Sequence, residues 1–100
     1  MLHIIQKKIQ IIGFEPPWVQ YSKEGDVLLL IGDGVYTIHQ HHPASKYLVE
    51  AQSRQQTVCA LILDVQARGL HQLPCISGVE YLSDQDWVDF MVKHEHVQSW

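Results

Sequence analysis

Cysteine, positive charge and long apolar runs are all scarce in this chain of 100 residues. Its two cysteines, Cys59 and Cys75, are too few and too widely spaced for a disulfide framework or a zinc motif, and in a reducing compartment both are thiols. Seven lysines and arginines against eleven aspartates and glutamates leave a net charge of -4. That balance excludes the basic stripe of a nucleic-acid groove, and Lys7-Lys8 is the only adjacent basic pair. No run of apolar residues approaches the length of a membrane span. The opening Met-Leu-His-Ile-Ile-Gln-Lys-Lys places its lysines after a short apolar run, the reverse of a secretory signal, so a cytoplasmic chain is the expectation. Charged residues make up only 18% of the sequence, which suggests surface covered by partners.

Apolar residues make up 46%, enough for one modest core, and the length suggests one domain over residues 1–100. Four segments read as strands: Leu2 to Ile5, Val27 to Ile31, Thr57 to Leu63 and Val79 to Leu82. The second and third do not alternate with polar residues, as expected of central parallel strands covered on both faces. Helical signals lie between them. Pro16-Pro17 suits a helix start, with Trp18 and Tyr21 on one face and an end near Glu24-Gly25. Ser45 is a candidate N-cap for a helix carrying Tyr47, Leu48 and Ala51. Asp64 can cap a short turn that stops at Gly69. Ser83 and Asp86 form a capping-box pattern ahead of a final helix lined by Trp87, Val88, Phe90 and Met91. Strand alternating with helix predicts a three-layer α/β/α domain around a mostly parallel sheet of about four strands. The expected neighbour order is second, first, third, fourth. Gln40 to Pro43 is the expected mobile loop.

Within "LLLIGDGVY" the apolar run ends in a Gly32-Asp33-Gly34 turn. The turn lacks the glycine spacing of a dinucleotide fingerprint and the Gly-Lys-Ser/Thr ending of a P-loop. Gly32 and Gly34 then supply backbone freedom and Asp33 caps the next helical segment, although the end of a parallel strand is where α/β proteins place their sites. His39, His41 and His42 cluster in "HQHH", and His94 and His96 lie further on, but no carboxylate or cysteine completes a metal spacing, so no metal site is assigned. Cys59 lies in an apolar strand as a small buried residue. Cys75 follows Pro74 in a loop and is the candidate persulfide carrier, with Arg68 the cation able to approach it in space. Trp100 either folds back on its own domain or anchors a partner.

Several ordered pieces carry a resemblance: "MLH", "EGDVLLLIGDGVY", "LDVQARGL" and "YLSDQDWVDFMVKHEHVQSW". Together they resemble the TusB/DsrH family of the DsrE/DsrF/DsrH-like group over nearly the whole chain. The likeness is strongest at Asp33-Gly34, at Asp64 with Ala67-Arg68-Gly69, and at Gln98-Ser99-Trp100. The resemblance implies a small α/β/α domain without a cofactor. It further implies a non-catalytic subunit joining TusC-like and TusD-like subunits in a heterohexamer with two copies of each. That complex takes persulfide sulfur from a TusA-like carrier and passes it to a TusE-like one, towards 2-thiolation of the tRNA wobble uridine. The active cysteine is expected on the TusD-like partner, with no nucleic acid or membrane bound by this chain directly. The DsrH branch, which serves sulfur oxidation, carries its own cysteine in the first helix. Here Trp18 falls at about that position and no cysteine lies nearby, which favours the TusB branch. The resemblance makes Asp33, Gly34, Arg68 and Trp100 candidate turn or interface residues. Two other readings stand beside it: a sulfur carrier using Cys75, and a small-ligand-binding regulatory domain using the turns after the strands.

Overall fold

The computed structural model describes residues 1–7 and 15–100. Five short strands form one sheet: β1 (Leu2–Ile5), β2 (Val27–Leu30), β3 (Thr57–Leu61), β4 (Glu80–Leu82) and β5 (Val97–Ser99). All neighbours are parallel, and the order is β4-β3-β2-β1-β5. The expectation that the first strand lies between the second and third is therefore corrected: β3 pairs with β2, with Leu28 opposite Val58, and the far side of β1 is taken by β5. β5 was not expected as a strand. Its three residues are all exposed and carry no strand-like apolar pattern, so only the open edge of β1 selects them.

The helices are α1 (Pro17–Tyr21), α2 (Ser45–Ser53), α3 (Ile62–Ala67) and α4 (Asp84–Lys93). A 3-10 segment, Gly32–Ile38, follows β2. The chain steps from β1 to β4 one strand at a time, with α1, the 3-10 segment, α2 and α3 packed on one face. It then crosses the whole sheet under the other face through α4 to reach β5. Right-handed crossovers require this division, because reversing the direction of travel along the sheet moves the connection to the opposite face. β2 supplies both cores by alternation: Leu28 and Leu30 point to the first, Leu29 to the second, all without measurable exposure. The continuous apolar runs of β2 and β3 are thus explained by burial on two sides.

Local signals act as the sequence suggests at several points and differ at others. Pro17 opens α1 at a position where its missing N–H costs nothing. Trp18 is buried, but Tyr21 is exposed, so the two do not share the core face. β3 stops at Leu61, and Ile62 and Leu63 begin α3. Ser45 sits just inside α2 with Ala44 at the cap, and its hydroxyl donates to the carbonyl of His42 at 2.9 Å. The Gln40 to Pro43 segment is tied down as well, with the Gln40 N–H donating to the Pro74 carbonyl at 2.9 Å. The capping box is present: Asp86 N–H donates to Ser83 Oγ and Ser83 N–H to Asp86 Oδ2, both at 3.2 Å. In α4, Trp87, Phe90 and Met91 pack on the sheet, whereas Val88 turns outward.

The glycine turn is shaped by contact. Gly34 passes so close to β1 that an added Cβ would lie 2.1 Å from the Ile5 carbonyl oxygen, a backbone atom that cannot step aside. Gly34→Ala should therefore cost about 2–3 kcal/mol in urea unfolding, as for overpacking of a rigid site. Gly25→Ala, where the left-handed φ is the sole obstacle and nothing lies within 4 Å, should cost nearer ~1 kcal/mol. Equal costs at the two positions would refute this account of Gly34.

Candidate functional site

At the carboxyl ends of β2 and β3, where α/β proteins usually build sites, the structure joins three of the residues singled out in the sequence. Arg68 caps the end of α3, and Gly69 follows with a left-handed φ of 69°. The Arg68 guanidinium donates through Nε and Nη2 to Asp33 Oδ1 at 3.2 and 3.0 Å. Its Nη1 donates to the Asp64 carbonyl at 3.2 Å and lies 3.7 Å from Asp64 Oδ1. Asp64, expected to cap a turn of its own, lies in the first turn of α3 and reaches across to accept the Gly32 N–H at 2.7 Å. Asp33 likewise caps nothing, since Ile31 holds the N-cap position of the 3-10 segment without a side-chain bond. The guanidinium also lies over the Tyr36 ring at 5.7 Å. One cation is thus shared by two carboxylates, and a backbone N–H that could bind an anion is already occupied. The cluster clamps the turn after β2 to the helix after β3.

Neither cysteine joins that cluster. Cys59 is fully buried in β3, with its sulfur 4.0 Å from Glu80 Oε2. Burial, reinforced by the Glu80 charge, pushes its thiol up to about 12. Cys75 is half-buried, and its Sγ donates to the carbonyls of Leu70 and Leu73, each at 3.4 Å. Burial raises its pKa as well. Arg68, considered as a cation for Cys75, is held by Asp33 and Asp64 instead. Both environments favour the thiol over the thiolate, the opposite of what sulfur transfer requires. The histidines are engaged locally: His39 Nδ1 accepts the His41 N–H and His42 Nδ1 the Ala44 N–H, both at 3.1 Å. Among the described residues no three histidines, cysteines or carboxylates gather in a way that could hold a metal ion.

The most connected polar network lies at the other end of the sheet and was not foreseen. His3, on β1 with no exposure, sits 2.8 Å from Asp26 through Nε2. Trp100 Nε1, which can only donate, gives its hydrogen to His3 Nδ1 at 3.1 Å. The acceptor is therefore Nδ1, and the ring proton sits on Nε2, directed at Asp26. Asp26 also accepts from the N-terminal ammonium at 3.0 Å and from the Lys23 N–H at 2.9 Å. Trp100 stacks between His3 and Tyr21, with centroids 6.2 and 5.5 Å away. Its own N–H donates to the Ile4 carbonyl at 2.8 Å, extending the β5 pairing. These groups line a cavity of about 620 Å³ together with Gln98. Of the two fates considered for Trp100, the chain thus shows it folded back on its own sheet. Nothing local in the sequence pairs His3 with Asp26 or Trp100; a lone histidine inside the run "LHII" was the one available hint.

The family's sequence model, described as DsrH like protein, matches residues 17–97, from the first residue of α1 into β5. The chain belongs to the DsrH-like family. It is 31% identical over 102 residues to the proteins named TusB from Salmonella dublin and from Salmonella enteritidis PT4, with complete coverage of both chains. Its fold is similar to the crystal structure of the ychN protein from E. coli, with a TM-score of 0.77, 17% identity, and 99% and 97% of the two chains covered. The α1 residues Pro-Trp-Val-Gln-Tyr include no cysteine, and Trp18 is buried in the core. Among the described residues no helix is long and apolar enough to cross a membrane.

Two measurements probe this geometry. Burial works to raise the pKa of Asp26, but hydrogen bonds from His3, the Lys23 N–H and the N-terminal ammonium, with that ammonium's charge, outweigh it and hold the carboxyl below its usual 3.8. A carboxylate depressed on folding stabilises the protein above its unfolded pKa and loses that contribution as pH falls through the folded value. Asp26→Asn should be less stable than the parent in urea at pH ~7, with the gap closing below pH ~4; a gap constant with pH would contradict the network. Separately, iodoacetamide at pH ~7.5 should alkylate Cys75 more slowly than a free thiol and leave Cys59 untouched until unfolding. Faster-than-free labelling of Cys75 would show an activated thiolate.

Proposed function

We propose that this chain is a non-catalytic subunit of a TusBCD-type sulfur relay supporting 2-thiolation of the tRNA wobble uridine. The observation that carries the reading is full-length similarity to proteins named TusB. The chemistry of the thiols supports it. Cys59 is sealed in a strand, Cys75 is hydrogen-bonded to two carbonyls, and α1 has no cysteine. A chain built in this way contributes shape and not sulfur. Its partners are TusC-like and TusD-like subunits in a heterohexamer with two copies of each, acting in the cytoplasm. The active cysteine belongs to the TusD-like subunit, which receives sulfur from a TusA-like carrier and delivers it to a TusE-like one. Asp33 and Gly34, clamped by Arg68, then serve as a rigid turn that presents a fixed surface.

Co-expression with the TusC-like and TusD-like proteins of the same genome, followed by light scattering, should give a stable particle with two copies of each chain. Elution of this chain alone would overturn the reading. Incubation of the isolated chain with a persulfide donor should add no sulfur by intact mass. A gain of sulfur that disappears in Cys75→Ser would make the chain a carrier in its own right.

A further inference from the structure

From the geometry of α4 we infer a docking surface for a partner with an apolar centre and a basic rim; the inference rests on the subunit reading above. A helix in a small domain is normally stabilised by burying an apolar stripe. α2 does this with Leu48 and Ala51. α4 does so less completely: Trp87, Phe90 and Met91 pack on the sheet, but none of its ten residues is fully buried. Among the described elements it is the one helix packed on the second face of the sheet, where Trp87, Phe90 and Met91 are partly buried over Leu2, Ile4, Leu29, Cys59 and Leu82.

Its outer side carries two valines. Val88 is 49% exposed and Val92 is 84% exposed. With Gln85 and Asp89 they stand at helical spacing along one stripe, an arrangement suited to contact with another surface. The helix does not need that stripe for its own formation. The Ser83–Asp86 capping box, Asp84 and Asp86 in the first turn and Lys93 in the last stabilise it locally. The exposed valines therefore have no evident part in folding this chain, and at i, i+4 spacing they stand beside each other on the helix.

Charge selects the occupant. Asp84 stands four residues before Val88 and Asp89 three before Val92, so both border the valines, with Asp89 also accepting from Gln85 Nε2 at 3.2 Å; Lys93 lies at the far end. A second copy in a two-fold contact centred on the valines would set Asp89, near the axis, close to its own counterpart, while only Asp84, at the end of the helix, could turn towards Lys93 of the other copy. A different chain whose apolar contact is bordered by lysine or arginine meets Asp89 and its neighbours with opposite charge and covers the valines at once. That chain is one of the co-assembling subunits.

The test uses the full-length chain co-expressed with its TusC-like and TusD-like partners. Val88→Asp with Val92→Asp should lower the recovered assembly at least about tenfold, since charges placed on an apolar contact lose its burial and oppose closure. Asp89→Lys should weaken assembly, more at low salt than at high salt. Val49→Asp, on the exposed side of α2 and equally solvent-facing, should assemble like the parent. Circular dichroism melts of the isolated variants should match the parent, because the substituted side chains are solvent-exposed. If the parent assembles and the double variant assembles equally well, the surface assignment is wrong while the subunit reading stands. If the parent fails to assemble, the subunit reading falls and takes the docking surface with it. If the parent alone forms a dimer that Val92→Asp dissociates, the occupant is a second copy and the inference of a basic partner is overturned.

Discussion

β1 is a four-residue strand whose backbone groups are claimed on both sides, by β2 and by β5. The register that sets Leu2 opposite Val27 and Ile5 opposite Leu30 places everything else of consequence. At the amino end it brings Asp26 beside His3 and the chain's amino group. At the carboxyl end it brings the turn after β2 under the Ile5 carbonyl, where Gly34 is the residue that fits. On the far side it leaves an edge that β5 and Trp100 occupy. A shift of one residue would reverse the faces of Leu28, Leu29 and Leu30 and empty both cores.

The polar groups divide by the same logic. At the carboxyl ends, Asp33, Asp64 and Arg68 spend their charges on one another. At the amino ends, His3 has both ring nitrogens engaged, one by Asp26 and one by Trp100. Groups that elsewhere serve catalysis are here saturated with internal partners, and the two thiols are held neutral. On α4 the fold leaves Val88 and Val92 exposed.

The first four strands, the capping box and the buried character of Cys59 were legible because each depends on a few neighbouring residues: an apolar run, a Ser83–Asp86 spacing, a cysteine inside "TVCALIL". The Gly32-Asp33-Gly34 turn was legible as a turn, but not its cause, since the Ile5 carbonyl that excludes a side chain at Gly34 is remote in sequence. Asp33 and Asp64 look like caps in the sequence because local hydrogen bonding is the default for such residues. Arg68 and the Gly32 N–H outcompete that default through contacts between segments.

The amino-acid sequence by itself determined an alternating α/β chain with a parallel sheet buried on both faces, since hydrophobic period and capping chemistry are local and survive without a partner strand. Its ordered motifs also pointed to the DsrH-like family that the family model over residues 17–97 shows. The tertiary structure alone decided the strand order, the recruitment of Val97–Ser99 as a fifth strand, and the His3–Asp26–Trp100 network. Each of these joins residues far apart in sequence, and their pairing is selected by which backbone edges and cavities remain open once the central strands have packed.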